Sequence, residues 1–283
     1  MTEAYRIGNV ILEFTHQFDE YFSSRIPAYK TTEKPEYRMR VLVEDRLDIP
    51  TKNIKFSYRD RTILEDESGG CIVKHNEQGE ITHLIDYRHD YREITIRLSR
   101  SLGAHLPEVE YLITGMMFFE IAIKNGLIPI HASAIGYDKE AILFSGPSRA
   151  GKSTQAELWK TNLEDVVFIN DDKPLLYQTE AGLFVTGSPW SGKTPKNENI
   201  ALKVKAIVFI EQAQVNNLIA LTVYDKITNF LRNVYRPREE AKLDNVLDLI
   251  EKLIKDLPVY RFYCTKDNEA FAYLYQALYR RDY

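Results

Sequence analysis

Through the first hundred positions, apolar residues come in short runs broken by turn formers, at 5–14, 37–43, 54–58, 71–74, 81–87 and 93–98. Runs of this length predict strands, and Glu93-Ile94-Thr95-Ile96-Arg97-Leu98 alternates polar with apolar at the period of two that a half-buried strand requires. Glu67-Ser68-Gly69-Gly70 marks a turn between two of them. Residues 1–100 therefore read as a β-rich unit without chemistry of its own.

The pattern then changes. Between positions 108 and 125, Val109, Leu112, Ile113, Met116, Met117, Phe119, Ile121 and Ile123 crowd one broad helical face, and Asn125-Gly126 ends it. A stripe of this kind is a core-facing helix, and it sets a domain boundary near residue 100. Beyond it, strands at 129–134, 141–145, 166–170 and 206–211 alternate with helical stretches, first at 152–161. Helices at 228–234 and 239–257, a strand at 260–264 and a closing helix at 268–279 follow. This is the grammar of an α/β domain covering 101–283, a mixed sheet with flanking helices.

Composition narrows the class. A chain of 283 residues has room for one large domain or two smaller ones, and 44% hydrophobic with 28% charged residues is ordinary for a globular protein. The net charge of −4 repels nucleic acid rather than gathering it. Cys71 and Cys264 lack metal-ligand spacing and suit a reducing compartment. No apolar run reaches the roughly 20 residues of a membrane helix, and Met1-Thr2-Glu3-Ala4-Tyr5-Arg6 lacks the layout of a secretory signal. The expected location is cytoplasmic, with no membrane partner; whether copies associate into a homo-oligomer is left open.

One motif carries specific chemistry. Gly146-Pro147-Ser148-Arg149-Ala150-Gly151-Lys152-Ser153 matches G-x-x-x-x-G-K-[ST] in full and is followed by Thr154. An apolar strand precedes it and a helix follows it, as the mechanism demands. Glycines bring backbone N–H groups against phosphate oxygens, and the helix N-terminus adds partial positive charge. Lys152 would neutralise the β and γ phosphates of a nucleoside triphosphate, and Ser153 would meet the bridging Mg²⁺. Arg149 reads equally as a phosphate contact or as a loop residue without a role.

Downstream, the strand at 166–170 ends in Asp171-Asp172. Groups at the carboxyl ends of strands face the ligand crevice, so one acid can hold Mg²⁺ while the other accepts the proton of an attacking hydroxyl. His131, in Pro129-Ile130-His131-Ala132-Ser133-Ala134, should lie beside the loop strand if Gly136-Tyr137-Asp138-Lys139 closes a hairpin. Gly187-Ser188-Pro189-Trp190-Ser191-Gly192-Lys193-Thr194 reads as a mobile loop that closes over the γ phosphate with Lys193, or as a surface turn anchored by Trp190.

The run Ile130-His131-Ala132-Ser133, the octet with Thr154, and Asn170-Asp171-Asp172 together resemble the catalytic core of bacterial HPr kinase/phosphorylase, above all its smaller relatives from peptide-tailoring gene clusters. The resemblance spans residues 128–211. It implies the P-loop fold shared with phosphoenolpyruvate carboxykinases and an ATP- and Mg²⁺-dependent kinase acting on a serine- or threonine-type hydroxyl of a peptide, protein or small molecule. It further implies His131 as an active-site histidine, Asp171 as general base, and Asp172 as its charged neighbour, which with Ser153 is left for the metal. Where that family carries a Glu-Ile-Arg-Gly-type signature, this chain has Pro189-Trp190-Ser191-Gly192-Lys193. On the kinase reading the β-rich unit at 1–100 is the expected surface for acceptor recognition; the alternative reading is a nucleotide-binding regulatory module without productive phosphotransfer.

Overall fold

In the computed structural model, the described residues are 3–237, 243–244, 246–248, 250–251 and 257–279. The chain forms two compact units, Met1–Ile121 and Ala122–Tyr283. The division falls inside a helix, later in the chain than the change in hydrophobic pattern sets it, because most of that helix packs with the first unit. Most of the helix expected at 239–257 lies outside the described residues.

The first unit is a mixed nine-stranded sheet. Its strands are β1 (Glu3–Ile7), β2 (Val10–Thr15), β3 (Lys30–Thr31), β4 (Tyr37–Glu44), β5 (Asn53–Tyr58), β6 (Arg61–Glu65), β7 (Gly69–His75), β8 (Ile81–Arg88) and β9 (Glu93–Ser99), in spatial order β3-β1-β2-β4-β9-β8-β7-β6-β5. The apolar run at 5–14 is two strands, since Gly8-Asn9 turns the chain and brings Ile7 opposite Val10. A short helix α1 (Asp19–Phe22), the long α2 (Leu106–Lys124) and 3-10 helices at Pro27–Tyr29 and Arg100–His105 join the strands. Within it, the buried carboxylate of Glu110 accepts from the backbone N–H groups of Gln17 at 2.6 Å and Phe18 at 3.0 Å. That pairing satisfies donors at the start of α1 which have no helical partner.

The second unit carries a second mixed sheet. Its strands are β10 (Ile128–Pro129), β11 (Ala132–Tyr137), β12 (Glu140–Ser145), β13 (Val167–Asn170), β14 (Leu175–Thr179), β15 (Gly182–Thr186), β16 (Ala201–Gln212), β17 (Asn217–Ala220) and β18 (Val259–Cys264). The main path runs β10-β14-β15-β16-β12-β11-β13, with β18 parallel to the second half of β16 and β17 antiparallel to β18. Its helices with fully described bounds are α3 (Lys152–Asn162), α4 (Val223–Asn233) and α5 (Asn268–Tyr279), and the described residues 243–244, 246–248 and 250–251 are helical too. This is α/β architecture with a mixed sheet and flanking helices.

Alternation explains why the central strands are apolar throughout. Along β12, Ala141 and Leu143 enter a cluster with Phe230 of α4, while Ile142 and Phe144 enter another with Trp159 of α3 and Leu274 of α5. A sheet covered on both faces needs apolar residues at every position. Trp159 is fully buried against Phe144, Phe271, Tyr275 and Tyr279. No helix among the described residues is long and apolar enough to cross a membrane.

Strand direction builds the site. β11 is antiparallel to both β12 and β13, with Ala132 opposite Ser145 and Ala134 opposite Asn170. The start of β11 therefore lies at the same sheet edge as the ends of β12 and β13. The β11–β12 turn is Asp138-Lys139, both with positive φ (50° and 62°), as a two-residue hairpin of primed type requires.

Candidate functional site

At that edge the chain leaves β12 through the octet and enters α3. Gly151 is the N-cap, at φ 108° and ψ 17°, a conformation that a side chain would strain. No side chain caps α3, and its first turn holds no acidic residue. The opening N–H groups of the helix thus keep their capacity for an anion, favoured by the helix dipole. Lys152 is buried and turns back over the loop, donating to the carbonyl oxygens of Gly146 (3.1 Å) and Pro147 (3.0 Å). Burial lowers its pKa below the ordinary lysine value, against a smaller opposing pull from Asp172. A bound anion would offset that cost of burying an ammonium.

Loop residues divide by role. Ser148, Arg149, Lys152, Ser153 and Thr154 line a cleft of about 700 Å³ together with His131, Asp171, Asp172 and Lys193. Ala150 packs against the apolar cluster around Trp159, and Gly146 lies on the other side of the loop, facing a separate hollow. Arg149 adopts φ 67°, and its carbonyl accepts from Gln212 Nε2 at 2.8 Å, so the backbone of the exposed turn is pinned to the end of β16.

Opposite the loop, the two acids sit just past β13 in different settings. Asp171 Oδ1 accepts from Ser133 Oγ at 2.6 Å and its Oδ2 from Thr194 Oγ1 at 3.2 Å, so both oxygens are held. Asp172 Oδ1 lies 3.2 Å from Lys173 Nζ and 3.4 Å from His131 Nε2. Asn170 sets the turn that separates them: its Oδ1 accepts from the N–H of Asp172 (2.8 Å) and of Lys173 (2.6 Å). Its Nδ2 donates to the Ser188 carbonyl at 2.8 Å, tying the acidic turn to the next loop.

His131 occupies a break between β10 and β11, correcting the single strand expected at 129–134. Its N–H donates to Asn233 O at 2.7 Å and its carbonyl accepts from Ser145 Oγ at 3.0 Å, which places it beside the end of the loop strand. Burial, then repulsion from Lys173 and Lys152, pushes its pKa down to about 4 despite the pull of Asp172. At neutral pH the contact with Asp172 therefore joins a carboxylate to an uncharged imidazole, a hydrogen-bonding partner rather than a cation.

The segment at 187–194 is anchored, not free. Ser188, Trp190 and Ser191 are almost wholly buried, and Ser191 Oγ donates to the Thr194 carbonyl at 3.0 Å. Only the tip, Lys193 and Thr194, is exposed. Gly192 (φ 79°) packs so closely on the acidic turn that a Cβ there would come 2.8 Å from Asp172 Cβ. Lys196 pairs with Glu157 of α3, and its carbonyl accepts from the Asp171 N–H at 3.1 Å.

Ser133, Thr194 and Lys173 are the site residues that motif reading passes over. Ser133 carried a signal, since it stands two positions past His131 in the same run, and Lys173 directly follows Asp172; Thr194 gained its role only when the loop folded back. Among the described residues no group of three or more His, Cys, Asp or Glu side chains forms a metal cage. The cleft does collect oxygen donors, the Ser153 hydroxyl and the Asp172 carboxylate, and Mg²⁺ in phosphoryl-transfer sites takes one or two protein ligands and finds the rest on substrate phosphate and water. The donor set fits that ion. A scan against protein-family models finds no match, and a comparison with curated proteins finds none either.

Proposed function

We propose that the chain is an ATP- and Mg²⁺-dependent kinase that moves the γ-phosphoryl group to a serine- or threonine-type hydroxyl of a peptide, protein or small molecule, in the manner of HPr kinase/phosphorylase. The observation that carries this reading is the meeting of Asp171 with Lys152 and Ser153 in one cleft, with both Asp171 oxygens held by hydroxyl donors. The relation to the P-loop fold of that family is part of the proposal, supported by the octet, His131 and the acidic pair converging at one sheet edge.

On this reading the backbone of residues 146–153 and the first turn of α3 hold the triphosphate, and Lys152 leaves its loop carbonyls to pair with the β and γ phosphates. Ser153 and Asp172 would hold Mg²⁺, which would neutralise phosphate charge. Asp171 accepts the proton of the acceptor hydroxyl. That oxygen forms a bond to the γ phosphorus as the bond to the β,γ-bridging oxygen breaks, and the electron pair leaves on ADP. Ser133 and Thr194 orient Asp171; neutral His131 fixes Asp172. Lys193, on the exposed rim, is placed to offset charge on the moving phosphoryl group. Cytoplasmic residence, where ATP is plentiful, completes the reading.

The test is transfer of label from γ-labelled ATP to peptide libraries and hydroxyl-bearing metabolites. Asp171→Asn should lower transfer by about 10²–10⁴-fold, the usual worth of a general base, while Mg-ATP still binds. Absence of transfer to every acceptor class, with nucleotide bound, would leave a binding module and not an enzyme.

A further inference from the structure

Five hydroxyl side chains line the cleft beside the phosphate loop: Ser148, Ser153, Thr154, Ser191 and Thr194. The first three belong to the loop and the opening turn of α3, on the side that would grip the triphosphate. Ser191 is almost wholly buried, and its Oγ donates to the Thr194 carbonyl at 3.0 Å. Thr194 differs from all of them. It is exposed at the tip of the 187–194 segment, and among these five its hydroxyl is the one that donates to Asp171.

The two oxygens of Asp171 are held unequally. Ser133 Oγ is buried and donates to Oδ1 at 2.6 Å, whereas Thr194 Oγ1 reaches Oδ2 at 3.2 Å. Hydroxyl donors lie about 2.5–3.0 Å from their acceptors, so the first bond is short and firm and the second is long and weak. A short bond from a buried donor positions a carboxylate; a long bond from an exposed donor exchanges easily. Oδ2 is thus the oxygen left for proton transfer, and the hydroxyl resting on it belongs to Thr194. An external acceptor reaches Oδ2 only by displacing that hydroxyl.

The backbone keeps the pair together. The Thr194 carbonyl accepts from the Lys196 N–H at 2.8 Å, and the Lys196 carbonyl accepts from the Asp171 N–H at 3.1 Å. Loop tip and acid turn therefore form one hydrogen-bonded frame. Base and hydroxyl meet without a conformational step, at an effective concentration that a free acceptor does not reach.

We infer that Thr194 is a phosphorylation site of the chain itself: with Mg-ATP bound and no acceptor present, the γ-phosphoryl group passes within one molecule to Thr194 Oγ1. The inference rests on the kinase reading above and adds a modification site to it. The Thr194 proton goes to Asp171 Oδ2, and Oγ1 bonds to the γ phosphorus as the bond to the β,γ-bridging oxygen breaks. The electron pair leaves on ADP. The new phosphate, with a charge of about −1.5 to −2, lies beside Asp171, covers its working oxygen and repels the next triphosphate. The modified chain is closed to acceptors.

The full chain is incubated with Mg²⁺ and γ-labelled ATP without acceptor, at several chain concentrations, then digested and mapped by mass spectrometry. Label should appear on Thr194, at a rate independent of chain concentration, and Asp171→Asn should slow it by about 10²–10⁴-fold. Thr194→Val should lose the label while Mg-ATP still binds in calorimetry, and Thr194→Ser, which restores a hydroxyl, should regain it. Absence of label from the native chain, label mapped to another residue, or a rate that rises with chain concentration overturns the inference. Should Thr194→Val fail to bind Mg-ATP, the mapped position in the native chain and in Thr194→Ser decides. Transfer to an external acceptor with none to Thr194 strikes this inference and leaves the kinase reading standing; absence of Mg-ATP binding to the native chain strikes both.

Discussion

Ser133 Oγ donates to Asp171 Oδ1 across 2.6 Å, from the strand beside the loop strand to the turn after β13. Ser133 is fully buried, and the bond fixes the carboxylate from behind while Thr194 holds the other oxygen at 3.2 Å. Hydrogen bonds to charged groups contribute about 1.5–3 kcal/mol. Ser133→Ala should therefore cut phosphoryl transfer by about tenfold or more, with Mg-ATP affinity unchanged in calorimetry. Unchanged transfer would mean that Asp171 needs no such support.

Gly192 lies against the acidic turn at φ 79°, where an added Cβ would come 2.8 Å from Asp172 Cβ. Gly192→Ala should cost about 1–3 kcal/mol from backbone strain, seen as a lower unfolding midpoint. Transfer should fall further than stability alone explains, because Asp172 must move. A variant with the stability loss and full transfer would show that the position of Asp172 is not critical.

Acidity should act on His131 in the metal-free chain. Its imidazole takes a proton near pH 6.5 when unfolded but only near 4 when folded, so between those values the unfolded chain binds more protons. Its contribution to stability is fully present above pH 6.5 and is lost as pH falls toward 4, amounting to on the order of 3 kcal/mol. Denaturant titrations from pH 7 to 4 should show a smaller loss for His131→Gln than for the native chain. Equal slopes would show that the imidazole titrates normally.

Trp159 gives a prediction about folding rather than catalysis. It is fully buried among aromatic rings, yet its indole N–H has no partner among the described residues. Trp159→Ala should destabilise by about 3–5 kcal/mol. Trp159→Phe should cost less than half of that, since it keeps most of the ring and removes a buried donor left unpaired. Chemical denaturation of both variants checks the ratio.

The fold was legible where one physical signal dominated. The closing helix at 268–279 and the hairpin through Asp138-Lys139 follow from periodicity and turn chemistry. β14 and β15 form a tight local hairpin, Thr179 opposite Gly182, that the hydrophobic pattern does not mark, whereas β17 escaped because its partner β18, far along the chain, makes it a strand. α4 begins earlier than its apolar residues suggest, since Thr222 caps it by accepting from the Asp225 N–H at 3.2 Å.

The candidate site divides in the same way. The octet declares itself because its chemistry needs those residues in that order. Asp171 and Asp172 were visible as a pair, but their separation into one acid held by hydroxyls and one held by Lys173 and His131 depends on the Asn170 turn and on a loop returning from position 194. No local rule encodes that return.

Calorimetric titration of Mg-ATP into the native chain and into Lys152→Ala tests the phosphate cradle most directly. The native chain should bind at micromolar level, about −8 kcal/mol, and the variant should lose at least about tenfold. Equal affinity in both chains, or no heat from either, would contradict it.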